Sequence, residues 1–289
     1  MNVIDRNGFG DTTTLVIGAS GLLGPYLMRS AARLGPVTGL SRRGPDVECD
    51  LLDFAAVRRW LRENPPKVVI YAAALTDVDY CQSAAELADA LHRQAVANVV
   101  DGLPDGVQLV YISTDQVYPD TPGPHKEETT SPVNIYGKSK LAGEYAALEY
   151  PGALVLRANL FGPSLTPGRQ SLSDFMLEKL TTKSELTLFK DVLFSPLHIE
   201  TLSDLVTELI SKNVEGVFNI GCREGKSKME FGYALARHFQ LPLTRVKEVD
   251  STMLPGRVRR IKDMCMDVGK LEKVLNRRLP TLFEEISKL

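Results

Sequence analysis

A tyrosine stands four residues before a lysine in "NIYGKSKLAGE", residues 134–144. In a helix, positions i and i+4 share one face, so Tyr136 and Lys140 are expected to point the same way. A cation beside a phenol favours phenolate, which lowers the tyrosine pKa from about 10 and makes it a better proton donor. The same spacing is ordinary on exposed amphipathic helices, so its meaning depends on what converges with it. Upstream, "VYISTDQVY" (110–118) is a β-rich run ending near Thr114, and ligands bind at the carboxyl ends of strands in wound α/β folds. A hydroxyl that orients a carbonyl, a phenol that protonates it and a cation that tunes the phenol make a set suited to proton transfer. Asp115 reads as a turn residue capping its own backbone.

Near the start, "GASGLLG" places Gly18, Gly21 and Gly24 at three-residue spacing between an apolar run and a helical pattern. Glycines there permit a tight turn and close approach of backbone N–H groups to a pyrophosphate, and the helix N-terminus favours the anion. Gly18, Ser20, Gly21, Leu22, Leu23 and Gly24 are the expected phosphate contacts, and Pro25 fits the first helical turn. The next apolar run ends in "GLSRRG", so Ser41, Arg42 and Arg43 stand where dinucleotide sites that prefer NAD carry an acid. Arginine suits a 2′-phosphate, and NADP(H) is expected over NAD(H).

The elements that position these groups follow from periodicity. Strands are expected near 13–18, 37–41, 47–49, 68–73, 107–112 and 153–157. Between them "GPYLMRSAARL", "DFAAVRRWLREN", "AAELADALHRQAVANVVDGL" and "GKSKLAGEYAALEY" carry helical spacing, with Asp53 as an N-cap. That alternation predicts an α/β fold, a Rossmann-type doubly wound parallel sheet. After Arg157 the pattern loosens, then "LSDLVTELISK" and "GVFNIG" give another helix and strand. The expected organisation is a dinucleotide-binding domain over 1–157 and 192–221, with a smaller discontinuous substrate domain over 158–191 and 222–289.

With 289 residues, 44% of them hydrophobic, a sizeable core is available. A formal charge of −2 gives no electrostatic ground for a nucleic-acid or anionic-membrane partner. Cys49, Cys81, Cys222 and Cys265 are widely spaced and read as reduced thiols, and no signal-peptide pattern or long apolar run is present, so a cytoplasmic location is expected. His92, His125, His198 and His238 show no ligand spacing, and no metal is expected.

"GASGLLG", "DLLD", "YAAALT", "STDQVY" and "YGKSKLAGE" occur in the order and spacing of the extended short-chain dehydrogenase/reductases. The chain resembles most the dTDP-4-dehydrorhamnose reductase group of sugar-nucleotide reductases, over nearly its whole length. The resemblance implies Thr114, Tyr136 and Lys140 as catalytic residues, Lys140 also holding the nicotinamide ribose. It further implies Asp50 and Leu51 beside the adenine, and Ala72, Ala73 and Ala74 along the cofactor. Thr76, Gln116, Asn159, Arg259 and Arg260 are the implied substrate contacts. Arg259 and Arg260 are singled out from a cation-rich stretch that starts at Arg257, because arginine suits a diphosphate. The sequence departs from the group at Tyr71, Gln116, Leu160 and Ile261; Leu160 replaces a tryptophan, removing a sugar-stacking surface. Gln116 also replaces the glutamate that serves as base in related 4,6-dehydratases, and an amide cannot act so. The expected activity is NADPH-dependent reduction of a nucleotide-linked 4-keto sugar. The alternatives are an epimerase or dehydratase, or a non-catalytic NADP-binding subunit like the regulatory subunit of methionine adenosyltransferase, which resembles the same group. A nucleotide sugar is the expected partner, and a homodimer is an assembly such a chain admits.

Overall fold

The computed structural model describes residues 13–44, 46–253, 256 and 258–289; Arg257 lies outside them. Apolar runs that alternate with amphipathic stretches fold into strands β1 (Thr14–Ile17), β2 (Val37–Ser41), β3 (Val47–Glu48), β4 (Val68–Tyr71), β5 (Gln108–Thr114) and β6 (Leu154–Ala158). Four more follow, β7 (Leu160–Phe161), β8 (Leu186–Phe189), β9 (Leu193–Phe194) and β10 (Leu197–His198), before β11 (Gly216–Ile220). The central sheet has seven strands in the order β11-β6-β5-β4-β1-β2-β3, with every pairing parallel. β1, β4 and β6 are buried along their whole length, which is why they read as apolar runs rather than alternations. The order reverses between β1 and β4, and the crevice for a ligand in such a sheet lies at that switch point.

Helices α1 (Gly24–Ala31), α2 (Phe54–Glu63), α3 (Val78–Ser83), α4 (Ala85–Asp89), α5 (Ala95–Gly102) and α6 (Ile135–Leu148) connect these strands. Asp53 caps α2 by accepting the Ala56 N–H at 3.0 Å, as its position predicts. The stretch from α4 to α5, one continuous pattern in sequence, is interrupted by a π-helical turn at Ala90–Gln94. The later elements are α7 (Leu172–Thr181), α8 (Ile199–Ser211), α9 (Lys228–His238), α10 (Gly269–Leu275) and α11 (Leu282–Ile286), with short strands β12 (Lys226–Ser227), β13 (Val246–Val249) and β14 (Asp263–Met264). β9 pairs with both β12 and β14, tying residues 193–194 to the last third of the chain. One cluster of buried apolar side chains runs from Val16 and Ile70 under the sheet through Phe161 and Phe231 to Leu282 and Ile286. Among the described residues no helix is long and apolar enough to cross a membrane.

Candidate functional site

β1 ends at the glycine turn, and the backbone there leaves no room for larger residues. Gly18 has φ +93, and a Cβ on it would lie 2.6 Å from the Ala73 nitrogen; one on Gly24 would lie 2.3 Å from the Ala19 carbonyl oxygen. The first of these contacts brings the turn against the end of β4, where Ala72, Ala73 and Ala74 lie half-buried. No side chain caps the start of α1; Pro25 has no N–H and the Tyr26 N–H donates to the Leu23 carbonyl at 3.1 Å, so the Gly24 N–H is the helical donor open to an anion among the described residues. The Thr166 hydroxyl donates to the Gly21 carbonyl at 3.0 Å and the Tyr26 hydroxyl to the Pro163 carbonyl at 2.7 Å, so the loop after β7 packs over the turn. Ser20, Gly21 and Leu22 remain half-exposed on it, while Leu23 is buried. This cradle of small residues and free amides fits the pyrophosphate of a dinucleotide.

At the end of β2, Arg42 and Arg43 are exposed and form no ion pair with any described residue, and the buried Ser41 hydroxyl donates to the Arg43 carbonyl at 3.0 Å. Asp46, which the reading of "GLSRRG" left out, reaches back to accept the Gly39 N–H at 2.7 Å. An acid therefore does stand in this turn, held by the strand backbone. Asp50 accepts the Leu52 N–H at 3.0 Å, and the Leu51 side chain is buried in the core beside the sheet. An adenine here could meet the Leu51 backbone, not its side chain.

Thr114, Tyr136 and Lys140 come together at the carboxyl end of β5, all buried. Asn134 caps α6 by accepting the Gly137 N–H at 2.9 Å, which fixes Tyr136 in the first turn. Gly137 is required because a Cβ there would sit 2.2 Å from the Gln116 carbonyl oxygen, so α6 begins pressed against the end of β5. The Lys140 ammonium donates to the Ile112 carbonyl at 2.7 Å and lies 4.1 Å from the centre of the Tyr111 ring. Burial pushes its pKa down to about 7, with Glu144 opposing.

Two expectations are corrected here. Burial raises the Tyr136 pKa instead of the cation lowering it, with the Thr114 hydroxyl pulling the other way. The Lys140 ammonium is turned to a carbonyl and a ring face. Second, the Thr114 hydroxyl donates its one proton to Asp115 Oδ1 at 3.1 Å and accepts the Gln116 N–H at 3.2 Å. Thr114 therefore caps the 3-10 turn at Asp115–Val117, while the Asp115 carboxyl also bonds its own backbone, as expected. Asp115 is buried, and burial raises its pKa to about 6 against hydrogen bonds from Asn159 and Thr114. The Asn159 amide donates to Asp115 Oδ2 at 2.5 Å.

His92 is a site residue that periodicity missed. It sits on the π-helical turn, fully buried, and its Nε2 accepts the Leu75 N–H at 2.9 Å. Nδ1 therefore carries the proton and donates to the Ser139 hydroxyl at 2.8 Å, which in turn donates to the Tyr136 carbonyl at 3.0 Å. Its ring meets that of Tyr136 edge-on, 5.8 Å between centroids. One neutral imidazole thus ties the loop after β4 to α6; burial first, then the Lys140 charge, pushes its pKa down to about 3. A polar residue inside an apolar helical stretch was the available signal.

The remaining predicted contacts lie around this centre. Thr76 is exposed just beyond Leu75. The Gln116 amide donates to Met264 Sδ. Arg259 and Arg260 reach the same region but are already paired, Arg259 with Asp120 at 2.9 Å and Arg260 with Asp79 at 2.7 Å. The Asn134 amide also donates to the Arg259 carbonyl at 3.1 Å, so this segment lies against the start of α6.

Comparisons with known proteins extend the geometry. The chain is 31% identical to methionine adenosyltransferase 2 subunit beta of Xenopus laevis, over 92% of this chain and 84% of that protein. It is 28% identical to the probable low-salt glycan biosynthesis reductase Agl14 of Haloferax volcanii, over 95% and 96%. Among solved structures it is similar in fold to dTDP-4-dehydrorhamnose reductase from Bacillus anthracis in complex with NADP, with TM-score 0.87 and 21% identity over 96% of this chain and 98% of that one. The model of the RmlD substrate binding domain matches residues 12–289, essentially the whole sheet and everything packed on it, and the chain belongs to that family.

Proposed function

We propose that the chain is a reductase of a nucleotide-linked 4-keto sugar that uses NADPH in preference to NADH. The observation that carries this reading is the convergence of Thr114, Tyr136 and Lys140 at the end of β5, beside a glycine turn shaped for a pyrophosphate. The likeness to Agl14 and to the Bacillus anthracis reductase in complex with NADP supports it. Gly18, Ser20, Gly21, Leu22, Leu23 and Gly24 would hold the pyrophosphate, Arg42 and Arg43 a 2′-phosphate, Ala72, Ala73 and Ala74 the length of the cofactor, and Lys140 its ribose. Bound there, a nicotinamide supplies hydride to a carbonyl carbon.

The chain's own part is the proton. Tyr136, kept protonated by burial, donates to the carbonyl oxygen; an alkoxide is a stronger base than phenolate, so a raised phenol pKa does not oppose the transfer. The Thr114 hydroxyl, held by Asp115, also hydrogen-bonds the phenol and so keeps it in place. The substrate would lie between the sheet edge and the segments after Arg157, touching Thr76, Gln116 and Asn159, with its diphosphate near Arg259 and Arg260.

A screen of nucleotide 4-keto sugars, read by loss of NADPH absorbance, tests the reading. Tyr136→Phe is expected to bind NADPH normally and to turn over about 10²-fold more slowly or worse; near-normal turnover by the folded variant would exclude Tyr136 as proton donor. The likeness to methionine adenosyltransferase 2 subunit beta favours a second reading, a cofactor-binding subunit without turnover. A stable complex with a methionine adenosyltransferase, together with no oxidation of NADPH by any keto sugar, would select it.

A further inference from the structure

Away from the cleft, a cavity of about 400 Å³ opens between the first half of α8, the loop after β11, the turn after α10 and α11. Four cations line it, Arg223, Arg277, Arg278 and Lys288, against the one carboxylate of Glu284, in a chain whose formal charge is −2. Two of the cations are spent. Arg277 donates to Glu208 at 2.8 Å, and the Lys288 ammonium donates to the Thr201 hydroxyl at 2.6 Å and to Glu285. The other two are not: the side chains of Arg223 and Arg278 make no hydrogen bond or ion pair with any described residue. Arg223 Nε is buried and has no partner. Glu284 feels the Arg223 charge only as a secondary influence, after its hydrogen bonds with Thr281.

A guanidinium N–H withdrawn from water without an acceptor is costly, and native structures rarely leave one so. The frame around it is well built. The Arg223 N–H donates to the Pro280 carbonyl at 2.9 Å and the Leu279 N–H to Glu272 Oε1 at 2.8 Å, while Asn276 turns the chain with φ 51. The buried Leu205 and Leu279 add apolar surface to the cavity. Unpaired guanidinium forks over an apolar floor suit a phosphate carried on a small organic body, and the volume lies in the range of small-molecule sites.

We propose that Arg223 and Arg278, with Arg277 and Lys288 at the rim, form a binding site for a small phosphorylated molecule, distinct from the cleft at the end of the sheet. None of the cavity's lining residues belongs to that cleft.

The test uses the full chain and inorganic pyrophosphate as probe. Calorimetric titration is expected to show binding that weakens tenfold or more in Arg278→Ala, whose side chain is exposed, and in Arg223→Lys, which keeps the charge but loses the fork. Both variants should keep the thermal midpoint of the parent protein. Because pyrophosphate could also bind in the cleft, at Arg42 and Arg43 or at Arg259 and Arg260, arginine labelling by phenylglyoxal, read by mass spectrometry, locates it: pyrophosphate should protect Arg223 and Arg278 and leave those four unprotected. The proposal is overturned if millimolar pyrophosphate gives no binding, if both variants bind like the parent, or if protection appears only at arginines of the cleft.

Discussion

Tyr136 and Lys140 share a helix face, yet the ammonium is turned to the Ile112 carbonyl and the phenol faces His92. Spacing located the pair; what each head group touches depends on β5 and the π-helical turn, which no local pattern encodes. Asp115 shows the consequence for titration. Its pKa is raised from 3.8 to about 6 in the folded protein, so between those values the folded state binds the extra proton. The stabilisation is full below about pH 4 and is lost as pH rises toward 6, a change on the order of 3 kcal/mol. Urea midpoints across this window should fall with rising pH in the parent, and this fall should largely disappear in Asp115→Asn; an unchanged slope would mean that other carboxyls produce it. At the cofactor end, Arg42→Ala combined with Arg43→Ala should raise the NADPH dissociation constant far more than that of NADH. Equal losses for both would shift attention to Asp46, the acid held at the Gly39 amide.

Behind the site, elements are joined by a buried ion pair. Glu144 on α6 meets Arg157 on β6 at 2.7 Å, with side chains 1% and 4% exposed, and Ser113 on β5 donates to the same carboxylate. Arg157 also donates to the Glu127 carbonyl at 2.7 Å, so the pair fixes α6, and with it Tyr136 and Lys140, to two adjacent strands. Removing one partner leaves the other charge buried and uncompensated, which costs about 3–5 kcal/mol. Glu144→Ala should lose that much in chemical denaturation, whereas Glu144→Leu with Arg157→Met should recover much of it; a loss below about 1 kcal/mol in the single variant would mean that water replaces the carboxylate. The central strands were readable because parallel strands buried on both faces are apolar runs. The π-helical turn was not, since an added residue slips the helical phase without changing composition, and only His92 in "ALHRQ" marks it. Apart from β11, the strands from β7 to β14 run to two or four residues each, and tertiary contact, not propensity, determines them.

At the scale of the whole molecule, the last third of the chain returns across the mouth of the cleft. Arg260 reaches Asp79, 181 residues away in sequence, and Arg259 reaches Asp120, 139 residues away; the Lys262 N–H also donates to Asp120, at 3.0 Å. The sequence marked the arginines as cations suited to a diphosphate, but such separations hide the carboxylates that already hold them. If the substrate's diphosphate uses Arg260, it must displace Asp79, and the two anions compete for one fork. The substitutions then act in opposite directions. Arg260→Ala should raise the Michaelis constant for the nucleotide sugar about tenfold or more, the scale of a lost charge-assisted pair. Asp79→Asn should lower it, because the competing charge is gone while the amide can still accept the Val258 N–H that Asp79 accepts at 3.0 Å. NADPH affinity should stay unchanged in both. The pair by itself is half-exposed, with side chains 36% and 48% accessible, so its direct worth to stability is small and a global loss of fold would not explain either result. If both variants instead raise the Michaelis constant to a similar degree, the ion pair merely holds the returning segment in place, and the diphosphate is bound by other groups.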